Sequence, residues 1–191
     1  MKYYLAAFAA IACVPGVAAA QGTDTIPHFN GVRAEARIGW ETPTVSESGN
    51  VYKIDSAVSY GGEVGFDVRL GQKFVAGPYA VYEFSSVKVC DGADCLREDG
   101  NLGLGGRIGV AVSPRVLIYG KLGYARIRFT ASSGGVTGSD SADGVQGAIG
   151  LNLNFGRNFY GLAEINYADY GRFEGINLQR RHVAAGIGVR F

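Results

Sequence analysis

Apolar and polar residues alternate with a period of two along eight segments of the chain. In residues 32–41, the apolar side chains occupy the even positions, whereas Arg33, Glu35 and Arg37 occupy odd ones. Successive side chains of a β-strand point to opposite faces, so this period predicts a strand with one apolar and one polar face. Seven more segments follow the same rule: residues 58–70, 74–85, 101–112, 116–129, 144–155, 159–168 and 181–191.

The connections between these segments alternate between short and long. The short ones carry Gly, Pro or Asn in turn positions. They are residues 71–73, 113–115 and 156–158, and the long polar ones are residues 42–57, 86–100, 130–143 and 169–180. Transmembrane barrels have short periplasmic turns at one rim and longer extracellular loops at the other. The sequence therefore predicts an all-β fold, an eight-stranded antiparallel up-and-down transmembrane β-barrel.

The charged residues of the polar face indicate which face points outward. Lipid excludes charged groups, whereas charges of both signs can pair inside a barrel. Glycines on the same face suit the narrow interior that eight strands enclose. A soluble barrel that holds a ligand against its apolar face would show the same alternation and is the alternative. We predict a polar, ion-paired lumen formed by Arg33, Glu35, Arg37, Glu63, Asp67, Arg69, Glu83, Arg107, Lys121 and Glu164.

Charge and glycine content exclude several classes of protein. The chain has 18 Lys and Arg residues against 17 Asp and Glu residues, a formal net charge of +1. It lacks the clustered basic excess of a nucleic-acid-binding protein. Glycine supplies 30 of the 191 residues, and glycine at this density disfavours a helix-rich enzyme. We expect no nucleic-acid partner, no cofactor and no metal site.

The N-terminal residues have the three parts of a secretory signal peptide. Lys2 provides a positive start, residues 5–14 are apolar, and residues 18–20 are the alanines of a cleavage site. An exported barrel with a lipid-facing surface belongs in the outer membrane of a Gram-negative bacterium. We predict a cleaved signal peptide over residues 1–20, a periplasmic lead-in over 21–31 and an outer-membrane β-barrel domain over 32–191.

Two cysteines follow the predicted signal peptide, and both lie in the second long loop. Cys90 and Cys95 are separated by four residues, and no histidine lies near them to complete a zinc site. Exported proteins fold in an oxidising compartment, so we expect a disulfide between these two cysteines within the loop.

Three short segments resemble a known family. The terminal GIGVRF, residues 186–191, resembles the insertion signal of bacterial outer-membrane barrels, carried by Gly186, Ile187, Val189 and Phe191. Residues 163–171 and 77–85 resemble strands of small opacity-like surface proteins, and the chain as a whole resembles the membrane half of outer-membrane protein A. The resemblance implies the barrel-assembly machinery and periplasmic chaperones as partners during insertion. Because the sequence ends at Phe191, we expect no peptidoglycan-binding domain after the barrel.

Three functions are compatible with such a barrel. The first, implied by the resemblance, is a non-enzymatic surface protein with a structural, envelope or host-interaction role, whose loops contact a host or surface ligand. The second is a narrow porin-like channel for small solutes. The third is a lipid A-modifying enzyme, which needs a nucleophile, a base and a group that orients the base. His182 has no serine two residues after it, Glu164 and Asp169 are the nearest carboxylates on the neighbouring strand, and His28 lies in the lead-in. We therefore expect no catalysis.

Several arginines are expected near the loop rim. Guanidinium groups bind phosphate in a bidentate manner, so these side chains could contact lipopolysaccharide, or they could be ordinary loop charges. The candidates for lipopolysaccharide contact are Arg126, Arg128, Arg172, Arg180 and Arg181.

Overall fold

A computed structural model describes residues 29–47, 50–53, 56–92, 94–173 and 176–191. The predicted signal peptide and residues 21–28 of the predicted lead-in, with His28, lie outside these residues. Within the described ranges, no helix is long and apolar enough to cross a membrane.

The described residues form one closed antiparallel sheet. β1 pairs with β3 on one side and with β10 on the other, so the barrel wall has no free edge. β2 and β5 are four-residue strands that pair antiparallel with one end of β1 and one end of β6, respectively. The other eight strands form the barrel, which confirms the predicted fold. The strands are β1 (Gly31–Glu47), β2 (Asn50–Lys53), β3 (Ala57–Leu70), β4 (Phe74–Ser85), β5 (Lys88–Asp91), β6 (Asp94–Ala111), β7 (Val116–Ser133), β8 (Val136–Asn154), β9 (Phe159–Phe173) and β10 (Ile176–Arg190).

Three tight turns close one rim of the barrel, as the sequence predicts. They join β3 to β4, β6 to β7 and β8 to β9. Gly71 begins the first of them with a φ of 68°, a conformation that favours glycine. We call this rim the turn side and the opposite rim the loop side.

The connections on the loop side differ from the prediction, because the long polar loops consist largely of strand. β7 and β8 stay paired up to Ser133 and Val136, and Gly134 and Gly135 form the turn with φ of 57° and 85°. These strand ends project beyond the apolar band and have polar side chains on both faces. The prediction of a loop over residues 130–143 is wrong, because no apolar–polar alternation marks such strand ends in the sequence.

The barrel is apolar outside and polar inside. Ile149 and Leu122 are 71% and 68% exposed on the outer wall, whereas Glu63 and Asp67 are buried in the lumen. This distribution confirms the lipid-facing assignment and is the reverse of a soluble barrel. Aromatic side chains lie near both ends of the outer apolar band: Trp40, Tyr60, Phe84, Tyr124 and Tyr167 on the loop side, and Phe74, Phe155, Phe159 and Phe191 on the turn side.

Neighbouring strands approach so closely at some positions that only glycine fits. A Cβ atom on Gly105 of β6 would lie 2.2 Å from the carbonyl oxygen of Leu122. A Cβ atom on Gly123 of β7 would lie equally close, 2.2 Å, to the carbonyl oxygen of Leu104. Part of the high glycine content is therefore a packing requirement of the narrow barrel wall.

Candidate functional site: the lumen

The middle of the lumen is held by ion pairs that converge on Glu63 of β3 and Glu164 of β9. Lys121 Nζ donates to Glu63 Oε2 at 2.6 Å and to Glu164 Oε2 at 2.5 Å. Arg37 donates to the same two carboxylates, at 3.2 Å and 2.5 Å. Because β3 and β9 stand far apart in the sheet order, these side chains cross-link the barrel through its interior.

The network continues toward the turn side through Arg33, Asp67 and Arg190. Arg33 Nη1 donates to Glu35 Oε1 at 2.8 Å and to Glu63 Oε1 at 2.6 Å, and its Nε lies 3.4 Å from Asp67 Oδ1. Arg190 Nη2 donates to Asp67 Oδ2 at 3.3 Å. These side chains are almost wholly buried, and each charge faces an opposite one, which offsets the cost of removing it from water.

Aromatic side chains fill the space between the charges. Tyr119 donates its hydroxyl to Glu164 Oε2 at 3.0 Å, and Tyr160 donates to Glu35 Oε1 at 2.8 Å. The Arg107 guanidinium lies 3.9 Å from the Tyr119 ring centre, a cation–π contact. The lumen is therefore packed with side chains rather than open.

A second group of charges lies on the loop side of this network. Arg180 Nε donates to Glu41 Oε2 at 2.6 Å, and Arg180 Nη2 donates to Glu83 Oε2 at 3.1 Å. Arg37 Nε donates to the other oxygen of Glu83 at 3.2 Å, which joins the two groups. The lumen charges thus form one continuous network along the barrel axis.

Ser59, His182 and Glu83 have the residue types of a hydrolase triad. His182 Nε2 shares a hydrogen bond with Ser59 Oγ at 2.8 Å, and His182 Nδ1 lies 3.5 Å from Glu83 Oε2. Catalysis would require an open position beside the serine for a substrate. Ser59 and His182 are only 1% and 2% exposed, and Glu83 is neutralised by Arg37 and Arg180. In this closed conformation the three residues hold the barrel together.

Glu98 is buried at the loop-side end of the lumen, where Glu41, Arg180 and Ser85 lie near its carboxyl group. It lies opposite Phe129 of β7, beyond the aromatic end of the outer apolar band and so outside the membrane-spanning part of β6. Burial and the neighbouring Glu41 raise the pKa of Glu98 to about 8, so the carboxyl group is mostly protonated at neutral pH.

Apolar side chains close the network at both ends. Phe29 is buried in the turn-side group, although the sequence places it in the periplasmic lead-in. A water-soluble solute would have to pass both apolar groups and the ion pairs between them. The loop-side cap consists of Ala125, Ile127, Ala142, Ala168, Tyr170 and Leu178, and the turn-side cap consists of Phe29, Val75 and Leu117.

Nine of the ten residues predicted for the lumen network are buried inside the barrel. Arg69 is the exception; it is half-buried at the turn side, where its Nε donates to the Gly71 carbonyl oxygen at 2.9 Å. The predicted network left out other buried polar residues. Most of them lie on the polar faces of the predicted strands, whereas Arg180 precedes the predicted last strand by one residue and Glu98 lies in a predicted loop. The buried polar residues left out of the prediction include Glu41, Ser59, Glu98, Gln146, Asn152, Arg180, His182 and Arg190.

The arginines predicted at the loop rim separate into two groups. Arg126, Arg128 and Arg181 are exposed on the outer wall, and Arg126 Nε pairs with Asp143 Oδ1 at 2.5 Å. The prediction of Arg180 as a lipopolysaccharide contact is wrong, because its position points inward and its side chain is buried between two carboxylates. The side chain of Arg172 lies outside the described residues.

Two further predicted sites lie at opposite ends of the barrel. Cys90 and Cys95 form the expected disulfide, which joins directly opposed residues of β5 and β6. Gly186, Ile187 and Val189 lie on β10, and Phe191 follows it with its side chain exposed at the turn side. Their role as an insertion signal stays a prediction.

The sequence matches one family of known proteins over nearly its whole length. The family described as outer membrane protein beta-barrel domain matches residues 5–191. No curated protein matches the chain.

Among solved structures, Neisserial surface protein A is 14% identical with a TM-score of 0.60, and the match covers 83% of this chain and 97% of that one. The attachment invasion locus protein Ail of Yersinia pestis, solved in complex with the heparin analogue sucrose octasulfate, is 18% identical with a TM-score of 0.54. That match covers 83% of this chain and 99% of that one. OprG of Pseudomonas aeruginosa is 11% identical with a TM-score of 0.54, over 87% of this chain and 98% of that one.

Proposed function

The chain belongs to the outer-membrane β-barrel family, and from this premise we propose that it is a non-conducting, non-enzymatic surface barrel. Its membrane part anchors and orients the projecting strand ends on the loop side, which contact ligands outside the cell. The proposal includes the barrel-assembly machinery and periplasmic chaperones as transient partners, with residues 186–191 as the insertion signal.

The observation that carries this proposal is the filled lumen. An open pore needs a continuous water path, but ion pairs occupy the middle of this lumen and apolar caps lie at both ends. Removing one partner of a buried ion pair costs about 3–5 kcal/mol, so the pairs do not separate readily. The same enclosure argues against catalysis by Ser59 and His182.

Current measurements in planar lipid bilayers test the absence of conduction. We expect the folded protein to insert without producing stepwise current. Steady current steps that change size in Glu83→Ala or Arg107→Ala would overturn the proposal, because the side chains of these residues are buried in the lumen. A change in electrophoretic mobility on heating shows in each case that the barrel is folded.

Contact with lipopolysaccharide is the second part of the proposal. Arg126, Arg128 and Arg181 are exposed on the outer wall near the aromatic residues Tyr124 and Tyr167, where their guanidinium groups would bind lipid phosphates in the proposed orientation. Replacing the three arginines by glutamine should weaken the binding of lipopolysaccharide micelles and leave folding intact. Unchanged binding would remove this part of the proposal.

Contact with an external ligand is proposed from the projecting strands and from the relatives. The Ail structure holds a heparin analogue, which shows that one protein of this fold binds a ligand. For this chain, biotinylation of Ser139→Cys on intact cells tests whether the β7–β8 hairpin is exposed outside the cell. Labelling only after cell disruption would reverse the proposed orientation.

A further inference from the structure

The projecting sheet has a free edge along β8. β7 and β8 pair without interruption to Ser133 and Val136, whereas the β8–β9 ladder ends at Val145 and Asp169. Among the residues that the structure describes, none pairs with residues 136–143 on the β9 side. This stretch therefore presents unpaired backbone N–H and C=O groups along one side.

The separation of β9 from β8 has a local cause. Gly171 of β9 has a φ of 70°, and its N–H donates to Asp169 Oδ1 at 2.8 Å. Beyond this bend, β9 continues to pair with β10, up to Phe173 opposite Ile176. The gap is thus set by the geometry of β9, and β8 itself continues as a regular strand.

The free edge lacks several of the features that usually protect an edge strand, but it carries two charged residues, Asp140 and Asp143. Residues 136–143 contain no proline and no lysine or arginine, and their ladder with β7 has no register shift. By comparison, the two short strands of the projecting region, β2 and β5, offer edges of only four residues each. The edge of β8 is the longest exposed one that the described residues offer for the addition of a strand.

The charge of this edge indicates what pairs with it. Residues 136–143 carry Asp140 and Asp143 and no cation. Asp143 is paired with Arg126, but the Asp140 side chain is exposed and has no described ion pair. A basic side chain directly opposite Asp140 on an added strand would be favourable. A second copy of this chain would place its own acidic edge there, which is unfavourable.

We propose that residues 136–143 of β8 form a docking edge for an extended basic segment of another polypeptide, which adds to the sheet as a strand. About four residues of β8 offer backbone groups on the free side, because alternate residues face each neighbour. Backbone hydrogen bonds would provide affinity, and Asp140 would provide preference for a basic segment. The inference rests on the proposed surface function. Its test requires a folded barrel and does not depend on whether the lumen conducts.

The test uses fluorescence anisotropy to measure binding of a peptide to the detergent-folded protein. The fluorescent peptide has eight residues, with threonine at every second position and lysine or valine between the threonines. The first control peptide has N-methylated amides at alternate residues and cannot form the ladder. The second control peptide has glutamate in place of lysine. We expect binding of the unmodified lysine peptide only, with protection of residues 136–143 from hydrogen exchange. Equal binding of the N-methylated peptide, protection elsewhere, or no binding would overturn the proposal.

Two variants separate the edge from general charge effects. Asp140→Lys should weaken binding of the lysine peptide about five- to tenfold. Asp94→Lys, at an exposed position of the disulfide hairpin, makes the same change in net charge away from the edge and should leave the affinity unchanged. Equal effects of both variants, or dimerisation of the protein through residues 136–143, would contradict the proposed partner. Bilayer recordings of the same samples should show no change in conductance. A failure of the docking proposal can then be distinguished from a failure of the closed-lumen proposal.

Discussion

Replacing Glu98 by glutamine should remove a specific part of the pH dependence of stability. Glu98 is buried on the loop side of the network, and burial together with Glu41 raises its pKa to about 8. In the unfolded chain the same carboxyl group has a pKa of about 4.3. Between these two values the folded state holds a proton that the unfolded state has released, so the free energy of unfolding falls as the pH rises. Below the lower value and above the higher one, this contribution is constant.

The size of the effect follows from the difference between the two pKa values. Each pH unit in this interval costs about 1.4 kcal/mol, so the whole interval corresponds to about 5 kcal/mol. The raised pKa of about 8 reflects a carboxyl group that is 1% exposed and lies near Glu41, and these effects outweigh the opposing influence of Arg180 and Ser85. A glutamine side chain at this position would have nearly the same shape and no proton to lose.

Urea unfolding of the barrel in detergent, followed by its electrophoretic mobility, measures this effect from pH 5 to pH 10. The parent protein should lose stability steadily up to about pH 8, and Glu98→Gln should lose less by several kcal/mol. Comparing the two proteins at each pH cancels the contributions of the other titrating groups. Identical pH profiles would refute the reasoning and would place the Glu98 carboxylate in contact with water or a cation.

Three further substitutions test other parts of the structure. Ile149→Arg puts a charge on the lipid-facing wall and should lower stability by about 2–4 kcal/mol in urea titrations, whereas Ile149→Leu should have little effect. Gly105→Val places its Cβ 2.2 Å from the Leu122 carbonyl oxygen and should cost about 3 kcal/mol or more, whereas Gly106→Val meets no atom within 4 Å; equal urea midpoints would contradict this packing. Replacing both cysteines of the disulfide by serine should speed hydrogen exchange in β5 without changing the unfolding midpoint of the barrel, and a lower midpoint would show that the hairpin supports the barrel wall.

The sequence predicted the membrane-embedded part of the fold because alternation is strict where one face meets lipid and the other the lumen. The spacing of Arg33, Glu35 and Arg37 assigned them to one face, and their charge identified that face as the inner one. Outside the membrane this constraint ends, so the strand character of residues 130–143 could not be read in the same way. Arg180 illustrates the same limit: it continues the inward positions of β10, but the predicted strand began one residue later.

Contacts across the lumen could not be predicted from the sequence. The spacing of residues along one strand does not show that Ser59 of β3 contacts His182 of β10. This contact depends on how the barrel closes and on the stagger of its strands. The apolar caps were also hidden, since Leu117 and Ile127 are apolar residues on the inward face of β7, where the alternation predicts polar side chains. Glu98 is buried next to a register shift between β6 and β7, and no local sequence pattern predicts this shift.

The central claim is that the lumen is closed to water-soluble solutes, and thiol labelling inside it tests this claim most directly. Gln146 lies in the lumen, is 2% exposed and donates to the Tyr79 hydroxyl at 3.2 Å, so Gln146→Cys places a single free thiol between the two caps. Ser139→Cys provides an exposed control on the same strand. With a charged, water-soluble thiol reagent, we predict rapid labelling at position 139 and none at position 146 until the barrel is unfolded by heat. Rapid labelling at position 146 in the folded barrel would contradict the account.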